Sequence, residues 1–208
     1  MRVIRNIVFD MGQVLIWWTP ALMTAHIPLG DEDRALLIRE VFGNVEWVRL
    51  DRGTLTGEEA AEKICARLPE RLHVHAHFLV KEWWSLELKP VAGMAAVVRD
   101  LKEAGYGIYL LSNANIQLRE NFHRIPGAEY FDGLLVSSEE KMIKPHREIY
   151  GRLFERFSLV PEECFFIDDA PANIEGALMA GMPGAVFCGD TARLRRELQE
   201  QGILKPEG

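Results

Sequence analysis

The chain has 208 residues, a formal net charge of −7, 48% hydrophobic residues and 26% charged residues. That size suits one domain, or a core carrying a smaller insert, with the composition of a folded globular protein. No apolar run approaches the roughly 18 residues of a membrane span, and no Lys/Arg block is long enough for a nucleic-acid or membrane surface; the three scattered cysteines (Cys65, Cys164, Cys188) have neither zinc nor disulfide spacing.

The first segment, MRVIRNIVFDMG, is not laid out as a secretory signal, because its apolar run ends at an acid rather than at a small-residue cleavage site. The expected location is therefore cytoplasmic. Residues 3–9 read as a strand. Its apolar character is nearly continuous rather than alternating, as in a parallel sheet covered on both faces. Roughly 70 residues then separate Val14 from Pro90, too many for a structureless loop in a compact domain. Within them DEDRALLIREVF has apolar residues at helical spacing, and TGEEAAEKICARL begins with a capping pattern, Thr56 to Glu59. The stretch is read as a helical insert over one end of the sheet.

Strand and helix alternate from there on. Pro90 is expected to open a helix that Gly105 closes. Strands follow at 107–111, 133–136, 164–167 and 184–187. Helices are expected at 145–157 and 172–180, the latter stopped by Gly181, and Asp190 or Thr191 caps a last one running to Gly202. Such alternation implies an α/β fold with a doubly wound parallel sheet. The expected division is a core of residues 1–15 and 90–208 and an inserted helical unit of residues 16–89.

In open parallel sheets the ligand lies beyond the carboxyl ends of the strands. Asp10 follows the first strand, Ser112 and Asn113 the second, and Asp168 and Asp169 the fourth; the loop after the third leads to Lys144. Any one of these is an ordinary cap or turn residue. Together they gather at one edge of the sheet. Three carboxylates in one place raise one another's pKa unless a cation sits among them, and Mg²⁺ accepts one or two carboxylates plus water and phosphate. With Lys144 as a second cation and Ser112 as a donor, the set makes a phosphoryl pocket with a carboxylate placed for in-line attack.

Four segments in order, IVFDMGQVL, LLSNAN, the KP of MIKPHREIY, and FFIDDAPANIEGA, resemble the motifs of the haloacid dehalogenase superfamily across essentially the whole chain. The resemblance implies a Rossmann-like core with a helical cap between the first and second motifs. It also implies a magnesium-dependent phosphatase acting on a small phosphorylated substrate. Asp10 would be the nucleophile that becomes phosphorylated. Ser112 and the amide of Asn113 would bind phosphoryl oxygens, and Lys144 would steady nucleophile and phosphate. Asp10, Asp169 and the Gly12 carbonyl would hold the metal, with Asp168 and Asn173 supporting them. No oligomeric state follows from the pattern.

One position departs from the family. Most of its phosphatases have a second Asp, the general acid/base, where this chain has Gly12. Missing general-acid help costs about 10²–10⁴-fold in rate, a loss that an intrinsically good leaving group, another proton-donating group or water, or a different activity would each accommodate. The first motif also resembles a subgroup that includes bacterial α-D-glucose-1-phosphate phosphatases, so a hexose 1-phosphate is the preferred substrate. Two other readings are a phospho-ligand binding protein without turnover and a 2-haloacid dehalogenase, whose halide leaves unprotonated. In the insert, Trp17, Trp18, Trp83 and Trp84 are read as hinge packing, with the alternative that one of them lines the pocket and stacks on a sugar ring, and His73, His75 and His77 as solvated or helix-end residues. Trp47 and Asp51 are the mid-insert residues that could reach a substrate.

Overall fold

The computed structural model describes residues 3–205. Its centre is a five-stranded parallel sheet. The first strand, β1 (Asn6–Phe9), is followed by a short ribbon of β2 (Ile16–Trp17) and β3 (Lys89–Pro90). The remaining sheet strands are β4 (Gly107–Ser112), β5 (Gly133–Val136), β6 (Cys164–Asp168) and β7 (Gly184–Val186), in the order β5-β4-β1-β6-β7. The expected start of the first strand at residue 3 moves to Asn6, where the register with Gly107 of β4 and Cys164 of β6 begins.

The strands sort their side chains by twos, and the two faces build two cores. Ile7, Phe9, Ile108, Leu110, Phe165 and Ile167 point to one face; Val8, Leu111, Phe166 and Cys164 point to the other. Helices α6 (Met94–Glu103) and α11 (Thr191–Glu200) cover the first face with Met94, Val97, Val98, Leu101, Leu194 and Leu198. Helices α9 (Arg147–Phe157) and α10 (Pro171–Met179) cover the second with Ile149, Tyr150, Leu153 and Ala177. Two short helices, α7 (Gln117–Asn121) and α8 (Ser137–Glu140), follow β4 and β5.

Between the two ribbon strands lie the helices α1 (Pro20–Thr24), α2 (Asp31–Phe42), α3 (Val45–Asp51), α4 (Gly57–Cys65) and α5 (His73–Lys81). The start of α4 is closed by a capping box in which Thr56 and Glu59 bond each other's backbone N–H. Arg67 knits the insert together: its guanidinium donates to Glu40 at 2.9 Å and to Glu46 at 3.0 and 3.2 Å. These bonds lower the carboxyl pKa of both, with Arg39 the larger contributor at Glu40. His73, His75 and His77 lie on α5, so an extended three-histidine face does not form; His73 Nε2 is 3.0 Å from the Leu68 carbonyl.

Pro90 does not open a helix. It pairs with Ile16 in the antiparallel ribbon, where Trp17 faces Lys89. A proline lacks an N–H and is tolerated at such a sheet edge. The helix begins later, at Met94, after Gly93 at φ 79°. The ribbon is thus the paired crossing between insert and core. Among the described residues, no helix is long and apolar enough to cross a membrane.

Candidate functional site

Parallel register sets the site. Phe9 stands beside Leu110 and Ile167, so Asp10, Ser112 and Asp168 reach the same edge of the sheet. Asp10, Asp168 and Asp169 can each direct a carboxylate oxygen to within 4.8 Å of the other two. Lys144 enters from the loop before α9 and is 3% exposed. Its Nζ donates to Asp10 Oδ1 at 2.7 Å and to Asp168 Oδ2 at 2.6 Å. One buried ammonium bonds two of the three clustered carboxylates but offsets a single negative charge, so the cluster stays acidic and could hold a cation.

The pKa directions follow from this crowding. Burial, with Asp168 nearby, pushes the Asp10 carboxyl up to about 6 against the pull of Lys144. Burial and then Asp168 also raise Asp169. Burial alone would lower the Lys144 ammonium, but Asp10 and Asp168 outweigh it and keep it charged.

Asp168 has little capacity left for a metal. Oδ2 accepts from Lys144 and from Asn173 Nδ2 (3.1 Å); Oδ1 accepts from Asn173 Nδ2 (2.9 Å) and from the Ala170 N–H (2.8 Å). Asn173 is itself set on α10, its carbonyl accepting from the Tyr150 hydroxyl at 2.7 Å. The second oxygen of Asp10 and the carboxylate of Asp169 are the oxygens that fit a small hard dication.

Asn113 does something its sequence position did not announce. Its side chain brackets the backbone of Lys144, donating to the carbonyl at 3.0 Å and accepting from the N–H at 2.9 Å. The strand that carries Ser112 thereby holds the loop that carries Lys144. Ser112 is 1% exposed and lines the same cavity as Asp10, Gly12, Asn113, Lys144, Asp169 and Asn173. All the residues singled out at the strand ends therefore meet, Asp168 lying just beneath the cavity floor.

The cavity measures about 350 Å³, and its roof comes from the insert: Trp18, Trp47, Asp51 and Trp83. Trp18 packs on Trp47 (ring centroids 5.6 Å apart) and on Trp83 (6.0 Å), while Trp83 stacks on Trp84 at 4.1 Å. The indole N–H groups of Trp18 and Trp83 are buried without a partner among the described residues. Trp17 lines a second, apolar cavity with Leu22 and Met23, which Trp18 and Trp83 also border.

The roof is fastened to the core just beyond α3. The Asp51 carbonyl accepts from the Ser137 hydroxyl, which in turn accepts from the Ala114 N–H at 2.9 Å; the Gly53 carbonyl accepts from Lys141 Nζ. Gly53 sits at φ 69°, and a Cβ there would lie 2.1 Å from the Ser138 carbonyl oxygen. Gly53→Ala must therefore lift the insert off the core. It is expected to lower kcat/KM at least about tenfold, since ångström-scale misplacement has effects of that size. It should also cost about 1–3 kcal/mol of stability in denaturant titrations.

Residues 4–181 match the haloacid dehalogenase-like hydrolase family. The sesquiterpene phosphatase astK of Aspergillus oryzae is 27% identical over 183 residues, 85% of this chain and 86% of that protein. The phosphorylated carbohydrates phosphatase of Thermotoga maritima is 25% identical over 205 residues, 97% of this chain and 94% of that protein. Among solved structures, the HAD family enzyme bt-2542 of Bacteroides thetaiotaomicron superposes with a TM-score of 0.69 at 24% identity, covering 94% of this chain and all of that one. That enzyme has also been crystallised with magnesium and inorganic phosphate.

Proposed function

The chain belongs to the haloacid dehalogenase-like hydrolases, and on that premise we propose that it is a magnesium-dependent phosphatase of a small phosphorylated metabolite, a hexose 1-phosphate by preference. The observation that carries this reading is the charge balance at Lys144: one ammonium on Asp10 and Asp168, with Asp169 in the same cluster. A dication would offset the two negative charges that Lys144 leaves over and so let a phosphoryl dianion approach, and the two relatives above are both named as phosphatases.

Asp10, Asp169 and the Gly12 carbonyl would hold Mg²⁺, with Asp168 and Asn173 fixing the frame beneath. The bound ion would supply positive charge to the phosphoryl oxygens. Ser112 and the Asn113 amide receive those oxygens, and Lys144 neutralises both them and Asp10. Asp10 attacks phosphorus, forming a phosphoaspartyl intermediate while the ester oxygen departs; water then attacks phosphorus and frees Asp10 with release of phosphate. The tryptophan roof supports a ring-bearing organic group, with aromatic faces for its C–H edges.

Phosphate release should be screened over hexose 1-phosphates, hexose 6-phosphates, acyl phosphates, prenyl phosphates and nucleotides, with Mg²⁺ or with chelator. The expected result is release that needs Mg²⁺ and is fastest with a hexose 1-phosphate. Release indifferent to chelator would overturn the metal assignment, and a faster prenyl phosphate the sugar preference. No release from any ester would overturn the phosphatase itself.

A further inference from the structure

The geometry points to Asp51, on the insert, as the general acid/base of this enzyme, acting from the roof of the cavity in place of a side chain at position 12. This assignment rests on the phosphatase reading above. It starts from a vacancy in chemistry rather than in space. A Cβ at Gly12 would meet nothing within 4 Å, so the backbone there could carry a side chain and does not. An alkoxide leaving group still needs a proton, and the attacking water still needs a base.

Elimination leaves one candidate. The titratable side chains that line the cavity are Asp10, Asp51, Lys144 and Asp169; no Glu, His, Cys or Tyr lines it. Asp10 is committed to attack. Lys144 is held between two carboxylates and stays charged. Asp169 belongs to the acidic cluster that fits the cation. Asp51 stands outside that cluster and lines the cavity from the insert, at the end of α3.

Asp51 also has the two properties the role requires. It is half-buried, and its carboxyl has no hydrogen bond or ion pair to another side chain among the described residues, so it is free to serve the substrate. Yet it is not loose. Ser137 holds its carbonyl, Lys141 holds the carbonyl of Gly53, and Gly53 lies against the Ser138 backbone. Ser137 and Ser138 open the short helix after β5, so the site's own core presents Asp51 to the cavity.

The proton count closes. In the first half-reaction an Asp10 oxygen bonds to phosphorus, the bond from phosphorus to the ester oxygen breaks, and protonated Asp51 gives its proton to that oxygen, releasing the alcohol. In the second, water attacks phosphorus and surrenders a proton to the Asp51 carboxylate as the Asp10–phosphorus bond breaks. Asp51 ends protonated and Asp10 ionised, as they began. The arrangement also makes acid catalysis conditional on the insert being seated, so an unseated insert leaves the phosphoaspartate without its base.

The test compares leaving groups. For an alkyl phosphate such as a hexose 6-phosphate, Asp51→Asn should lower kcat by about 10²–10⁴-fold. For p-nitrophenyl phosphate, whose phenolate leaves without help, the phosphorylation half-reaction in a single-turnover burst should change by less than about tenfold. That burst also shows that the variant folds. Gly12→Asp placed on Asp51→Asn should recover at least about tenfold on the alkyl ester. Equal burst losses on both esters, or no loss on the alkyl ester, would overturn the role of Asp51 while leaving the phosphatase intact. A wild-type enzyme that releases phosphate from no ester would overturn both.

Discussion

Asp10→Asn is expected to lose phosphate release by about 10⁴-fold or more while folding as well as the wild type or slightly better. The two halves of that expectation have one cause. An amide cannot displace an alkoxide from phosphorus, so the covalent step disappears rather than slowing. The same substitution removes a charge that the fold holds at a cost. Burial raises the Asp10 carboxyl from 3.8 to about 6, so the folded state binds its proton more tightly than the unfolded chain does. Its ionised form therefore costs stability in full above about pH 6, and the cost is relieved as pH falls through that value. Asparagine has no such penalty, and its carbonyl can still accept from Lys144, which keeps its bond to Asp168. Thermal unfolding near pH 7, run beside phosphate-release assays, checks both halves. Acid quenching during turnover should trap labelled phosphate on the wild type and none on the variant. Turnover surviving in Asp10→Asn would sink the nucleophile assignment, and a trapped label on the variant would move it to another residue.

Much of this site is readable in the sequence because the sheet does the assembling. Asp10, Ser112, Asp168 and Asp169 each end or follow an apolar run, and parallel pairing brings those ends to one edge whatever the helices do. Lys144 is harder to place, since no strand carries it, but the loop after β5 and the start of α9 leave it little choice. What the sequence conceals depends on packing between distant segments. The side chain of Asn113 is used on the Lys144 backbone, 31 residues away, and no local pattern encodes that bracket. Asp51 can be singled out only as a mid-insert acid, because its approach to the cavity comes from Ser137 and Lys141, 86 and 88 residues along the chain from their acceptors. Trp17 and Trp18 are adjacent in sequence and share the apolar cavity, yet only Trp18 also lines the cavity that holds Asp10. Pro90 is ambiguous in the sequence for a related reason: its fixed φ suits a helix start and a sheet edge equally, and only the pairing with Ile16 decides between them.

Lys144→Met should disable the site in the opposite way, losing activity and stability together. Methionine fills a similar volume, so the change is mainly electrostatic. Without the ammonium, Asp10 and Asp168 lose their buried partner at 2.7 and 2.6 Å, and three carboxylates within 4.8 Å are left to repel one another. Removing one member of a buried pair costs about 3–5 kcal/mol, or about 6–20 °C in Tm for a chain of this size. Two interventions should each restore part of the loss. Saturating Mg²⁺ supplies the missing positive charge and should raise the Tm of the variant more than that of the wild type. Acidification should do the same without metal. Asp10 already titrates near 6 beside Lys144, and removing that cation can only raise its folded value further. The penalty is therefore complete above that raised value and fades as pH falls through it, until the carboxyls are neutral in both folded and unfolded chains. Unfolding followed from near pH 8 down to pH 5, with and without Mg²⁺, measures all three effects. A Tm deficit that neither acid nor magnesium reduces would mean that Lys144 contributes packing rather than charge, and would remove the observation on which the cation site rests.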